Sequence, residues 1–170
     1  MPLIRRLIPN DHAAYRAIRL RALRDEPTAF SANDEDEAAI PLPVFAERLR
    51  PDANHFMLGA FHGDTLIGIV GVKRERGAKE QHKAFLRSMY VAAEQRGQGV
   101  GRQLLREALA LVDAMPGLRQ ITLTVTACNL GALALYEAHG FHTCGREPDA
   151  LFVQGAYHDE WMMMRRVPIR

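Results

Sequence analysis

A change of hydrophobic period across Gln95–Arg102 sets the architecture open to this chain. Before it, Ala84 to Val91 is an apolar run of strand length; after it, Val100, Leu104, Leu105, Ala108, Leu111, Val112 and Met115 recur on one helical face until Pro116-Gly117 stops the pattern. Gly97, Gly99 and Gly101 lie between the two, on alternate positions. A strand, a glycine turn and an amphipathic helix in succession demand a sheet with helices packed on it, which excludes a bundle or a sandwich.

The remaining chain reads in the same terms. Leu3 to Ile8 is a strand candidate, and Asn10 or Asp11 caps a helix that runs to about Arg24, with Tyr15, Ile18, Ala22 and Leu23 at helical spacing. Pro27 ends it, the acidic stretch Asp34 to Glu37 falls in a loop, and a second helix starts after Pro43 and ends before Pro51. Phe56 to His62 and Leu66 to Lys73 flank a Gly63-Asp64 hairpin turn. Ile121 to Thr126 is a β-branched strand, Leu130 to Ala138 a helix closed by Gly140, and Phe141 to Arg146 a strand; a last strand near Glu160 to Val167 follows a turn at Gly155. The fold class expected is α+β, of the three-layer α/β type, with a mixed central sheet.

Composition narrows the function classes. With 170 residues, 48% hydrophobic and 25% charged, the chain is expected to form a single domain over 1–170 with a real core. A net charge of +2 with dispersed arginines gives no reason to expect nucleic acid or a membrane surface as partner. No run of 18 apolar residues occurs, and Met1 to Leu7 lacks the long apolar stretch of a signal peptide. Cys128 and Cys144 make neither a disulfide framework nor a zinc spacing, so a cytoplasmic protein with reduced thiols and no metal is expected.

The glycine loop carries the chemistry. Alternate glycines let the backbone approach a ligand and turn consecutive N–H groups into one concavity, and the helix that starts there adds unpaired N–H groups and the positive end of its dipole. These features suit a phosphate or pyrophosphate, with Arg96 and Arg102 as added charge. No Lys-Ser/Thr pair follows Gly101, so the P-loop pattern is absent, and the dinucleotide G-x-G-x-x-G is missed by one position. Taken alone, the glycines also fit a ligand-free turn.

Arg96, Gly99 and Gly101 fill an R/Q-x-x-G-x-G/A motif, and Asn129, Ala132, Leu135, Tyr136, Gly140 and Phe141 fill N-x-x-A-x-x-L-Y-x-x-x-G-F. With these motifs in this order, the chain resembles the Gcn5-related N-acetyltransferase (GNAT) superfamily over about residues 86 to 145. The resemblance implies the GNAT fold, with flanking helices and a splayed strand pair whose bulged member opens a slot for the pantetheine of acetyl-CoA, the co-substrate. It implies that the backbone of Met89, Tyr90 and Val91 pairs with the pantetheine amides, and that Gly97, Gln98, Gly99, Val100, Gly101 and Arg102 hold the pyrophosphate. Arg96 and Ala132 belong to the same cofactor-binding set, Asn129 would bond pantetheine or the opened strand, and Tyr136 would sit beside the thioester sulfur as cofactor contact and general acid.

The activity so implied is acetyl-CoA-dependent transfer of an acetyl group to a primary amine of a small molecule or peptide, by direct attack. A backbone N–H near Met89 to Val91 would serve as oxyanion donor. Many relatives have proline where this chain has Ala93, and some carry a basic carboxylate where this chain has Phe85, so no general base is assigned. Phe85 keeps open a second reading, a non-catalytic acyl-CoA-binding regulatory module.

Each residue singled out also has a plainer reading. Asn129 serves as a helix cap, and Cys128 as a small buried cysteine rather than an acyl carrier. His82 and His158 read as surface residues near strand ends. Asp34 to Glu37 is either a solvated loop or an acidic lip that attracts a cationic amine. Met162 to Met164 reads as core and interface packing, and that apolar last strand offers a homodimer surface.

Overall fold

The computed structural model describes residues 2–168. Its strands are β1 (Leu3–Arg6), β2 (His55–His62), β3 (Thr65–Arg74), β4 (Lys83–Val91), β5 (Gln120–Thr126), β6 (His142–Val153) and β7 (Ala156–Arg166). They form one seven-stranded sheet in the order β1-β2-β3-β4-β5-β7-β6. Every neighbouring pair is antiparallel except β4 and β5, so the sheet is mixed, as expected. The helices are α1 (His12–Asp25), α2 (Asp34–Ala39), α3 (Leu42–Arg48), α4 (Val100–Asp113) and α5 (Leu130–Glu137). Among the described residues no helix is long and apolar enough to cross a membrane.

Side-chain alternation sorts the core into two layers. On one face, Val100, Leu104, Leu105 and Val112 of α4 and Tyr136 of α5 pack on Leu58, Val70, Leu86, Ile121 and Leu123. On the other, Tyr15 and Ile18 of α1 and Phe45 of α3 pack on Met57, Ile69 and Tyr90. Leu104 is fully buried above Gly68, where an added Cβ would stand 2.9 Å from its Cδ1.

Strand β4 changes faces partway along. Between the Ile69–Tyr90 and Gly71–Arg87 pairs, β3 has Val70 alone whereas β4 has Ser88 and Met89, so β4 carries a bulge. Ser88 takes φ 56, the left-handed region that a side-chain-bearing residue rarely occupies. Ala84 and Leu86 therefore face α4 before the bulge, and Tyr90 faces α1 after it. Pairing between β4 and β5 stops at Phe85–Thr122, and beyond that point the two strands part.

Several expectations need correction. The acidic stretch is not a loop but helix α2: Asn33 accepts from the Asp36 N–H at 2.8 Å as its N-cap, and the four carboxylates of its first turn suit the helix dipole. Asp11 does not cap α1 with its side chain. Its carboxylate pairs with Arg5 at 2.7 Å and accepts from the Ile8 N–H, and the Arg5 hydrogen bond holds it below the usual carboxylate range. The strand expected to end at Arg146 continues through Val153, because bulges at Thr143/Gly145 and Glu147/Leu151 keep it paired to β7. The last strand starts at Ala156 and lies inside the sheet, between β5 and β6.

The layer under α4 gives a stability prediction. Leu104→Ala should cost about 3 kcal/mol and lower the melting temperature by roughly 6–12 °C in a thermal scan, since a cavity opens where Leu104 covers Gly68.

Candidate functional site

Where β4 and β5 part, a cavity of about 700 Å³ runs through the sheet. Met89, Ala132, Leu135 and Tyr136 line its α4–α5 side, while Phe85, Arg87, Thr124, Thr126 and Glu160 line the α1 side. The two ends arise from strand parity. Ile121, Leu123 and Val125 point to α4, which leaves Thr124 and Thr126 for the opposite face, and register places Glu160 beside Thr126 there.

Tyr136 is held from both ends of α5. Asn129 caps the helix by accepting from the Ala132 N–H at 3.1 Å through Oδ1, which leaves its side-chain amide N–H groups available to the cavity. At the other end the Phe141 N–H donates to the Tyr136 carbonyl, with Gly140 at φ 84 closing the helix. The Tyr136 ring packs edge-on to Phe141, 5.8 Å between centroids. Burial alone pushes its hydroxyl pKa up, so the group is protonated at neutral pH.

The glycine loop is clamped to the end of α1. Arg96 donates to the Val91 carbonyl at 2.9 Å and pairs with Glu26 at 2.6 Å, with its guanidinium over the Tyr90 ring. The Tyr90 hydroxyl donates to Asp25 at 2.5 Å, and Arg21 grips Glu94 through two hydrogen bonds. That grip holds the Glu94 carboxyl down at about 2. Gly97 and Gly99 take φ 74 and 81, conformations open to glycine at little cost, and a Cβ on either would meet open space. Among the described residues the N–H groups of Gly97, Gln98 and Gly99 have no backbone acceptor. The first turn of α4 adds those of Val100, Gly101 and Arg102. The concavity therefore fits an anionic diphosphate, while the Arg96 guanidinium is engaged in holding the loop.

On the α1 side the charges are paired more closely than the sequence suggests. Of the acidic stretch only Glu37 lines the cavity; it is buried and already held by Arg48 at 2.5 Å and by Arg19 at 3.4 Å. Asp34 pairs with Arg24 on the surface. Of the stretch read either as a solvated loop or as an acidic lip, Asp34 and Glu37 are therefore paired, whereas Glu35 and Asp36 enter no ion pair among the described residues and do not line the cavity. Arg19 also donates to the Ser88 hydroxyl at 3.5 Å, which ties α1 to the bulge.

Met89, Asn129, Ala132 and Tyr136 are brought together at the cavity, and the glycine loop and Arg102 stand together at the start of α4. Cys128 is exposed rather than buried, because it sits in the turn between β5 and α5. Phe85 lines the cavity at the position that lacks a carboxylate, and the carboxylate that sequence reasoning missed is Glu160. Desolvation, then the like charge of Glu147, raises its pKa. Its signal in the sequence was a lone acid alternating with Met162 and Met164 on one strand face.

Comparison with known proteins adds a family. The family model described as acetyltransferase (GNAT) family matches residues 17–141. The chain is 34% identical over 125 residues to N-alpha-acetyltransferase RimI of Mycobacterium tuberculosis, covering 74% of each. It is 31% identical over 140 residues to mycothiol acetyltransferase of Brachybacterium faecium, which is 81% of this chain but 39% of that protein. A solved acetyltransferase of GNAT family from Streptococcus pneumoniae aligns over 99% of this chain and 100% of its own, at 25% identity and TM-score 0.87.

Gly99→Ala tests the loop. Nothing obstructs the new Cβ within the protein, so its folding cost is the backbone strain of about 1–2 kcal/mol. Affinity for CoA, measured by calorimetry, should fall at least tenfold, since the methyl group and the strained turn both disturb the diphosphate concavity.

Proposed function

The chain belongs to the acetyltransferase (GNAT) family, and from that premise we propose that it transfers the acetyl group of acetyl-CoA to a primary amine of a small molecule or peptide by direct attack. The observation that carries this reading is the parting of β4 from β5 at the Ser88 bulge, with Tyr136 buried beside the opening. Bound acetyl-CoA supplies an activated thioester. The chain's own groups orient it: freed β4 edge groups at Met89, Tyr90 and Val91 along the pantetheine, and the Gly97–Arg102 backbone around the diphosphate.

Proton traffic falls to two of the titratable groups at the slot, Glu160 and Tyr136. An alkyl ammonium of reference pKa about 10.4 must shed its proton before the nitrogen attacks. Glu160 takes that proton, directly or through a water, and its raised pKa makes it a better base than an exposed carboxylate. As the C–N bond forms and the C–S bond breaks, Tyr136 donates its hydroxyl proton to the leaving sulfur. Desolvation that makes the phenol reluctant to ionise raises the proton affinity of a thiolate in the same slot as well. An exposed Phe152–Tyr157 ring pair on the β6–β7 hairpin supports a homodimer in the same reading.

Two variants divide the roles. Tyr136→Phe should lower kcat by roughly 10²-fold or more while leaving acetyl-CoA affinity within about twofold, since only the proton is removed. Acetyl-CoA at 100 times Kd should raise the melting temperature of wild type by about 5–10 °C, and the variant should match it. An unchanged kcat would remove Tyr136 from the reaction. With wild type, kcat/KM should rise with pH through the Glu160 pKa, above the ordinary carboxylate range, because only the ionised form accepts a proton. Glu160→Gln should erase that limb of the pH–rate profile.

A further inference from the structure

We propose that the acceptor amine also carries a carboxylate, and that Arg87 is the residue that binds it. The proposal rests on the acetyl-transfer reading and specifies its substrate class.

The charges on the α1 side of the cavity do not all cancel. Glu37 is satisfied by Arg48 and Arg19, and Lys73 and Glu75 are exposed, where water screens them. Arg87 differs from these. Its Nε is buried with no hydrogen-bond partner, and among the described residues no carboxylate reaches ion-pairing distance of it. Its stem lies against Gly71 of β3, where an added Cβ would stand 3.3 Å from the Arg87 Cγ, so a bare backbone position makes room for it. Nearby His55 offers no negative charge: burial and then the Arg87 charge push its pKa down, and its Nε2 is likewise buried and unpartnered. A partly buried guanidinium without an anion is costly, and its planar fork of donors matches a carboxylate in two parallel hydrogen bonds.

Glu160 supplies the opposite end. It lines the same cavity from β7, enters no ion pair among the described residues, and is separated from β4 only by β5. β4 and β5 no longer pair beyond Phe85–Thr122, so the β4 and β7 backbones stand more than two strand spacings, roughly 10 Å, apart, a gap that the two long side chains and their hydrogen bonds narrow. One unpaired cation and one unpaired carboxylate on the same side of the cavity, on the strands flanking β5, complement a zwitterion, with its ammonium toward Glu160 and its carboxylate on Arg87. A polyamine would bring a second positive charge against Arg87, and a peptide N-terminus would bring no carboxylate next to its amine.

The test uses the intact chain with acetyl-CoA and a panel of free L-amino acids, each paired with its carboxamide, together with spermidine and a C-terminally amidated peptide. Thiol release gives kcat/KM for wild type, Arg87→Met and Arg87→Lys, and thermal melts verify that each variant is folded. The expected result is a preference of at least tenfold for acid over amide in wild type. That ratio should collapse toward one in Arg87→Met, mainly through KM, and return in part in Arg87→Lys. Equal turnover of acids and amides, a ratio that survives Arg87→Met, turnover confined to spermidine or the peptide, or turnover of no member would each overturn the proposal. The wild-type melting shift with acetyl-CoA separates the two levels: its absence defeats the acetyl-transfer reading, whereas its presence with a failed preference defeats the carboxylate proposal alone.

Discussion

The extra residue in β4 governs the rest of the structure. With Ser88 and Met89 opposite Val70 alone, the strand can no longer keep both its side-chain parity and its pairing with β5. Parity changes, so Tyr90 swings to the α1 layer while Met89 and Val91 turn to α4. Pairing also ends, since the last β4–β5 rung is Phe85–Thr122. An ordinary strand here would close the sheet. The strain of a serine at φ 56 is held in place by two packed layers and by Arg19, which reaches the Ser88 hydroxyl.

Electrostatics divides the cavity as sharply as the backbone does. On the α4–α5 side the group beside the slot is a neutral phenol kept protonated by burial, with no ionic neighbour to draw its proton away. Opposite it lie arginines and carboxylates, of which Arg19, Arg48 and Glu37 are already paired with one another. Glu37 in particular is not a ligand in waiting: buried between Arg19 and Arg48, it fastens α2 and α3 to α1 and thereby shapes the wall. Under the proposed function, it is the groups left without partners, rather than those merely charged, that are available to a second substrate.

How much was legible in the sequence depended on range. The α4 face, the Gly63-Asp64 turn, the Asn129 cap and the Gly140 helix end were all readable, because each is written within a few residues of where it acts. The motifs also located the glycine loop and Tyr136. Helix α2 was missed since four successive acids look like solvent-exposed loop, although the same acids favour a helix N-terminus once Asn33 caps it. Glu160 and Arg87 were missed for a different reason. Their importance comes from β7 inserting beside β5 and from Gly71 lying under β4, relations between strands that no local pattern encodes.

Helix α1 touches both the cavity and the glycine loop. At Arg19 it meets the bulge and Glu37; within the next two turns Arg21, Asp25 and the following Glu26 hold Glu94, Tyr90 and Arg96 around the glycine loop. One rigid rod therefore carries the wall for one ligand and the anchor for the other. Under the proposed function, any displacement of it would move both, so the free energies of filling the two compartments would be coupled, each occupant altering the other's affinity by the same factor.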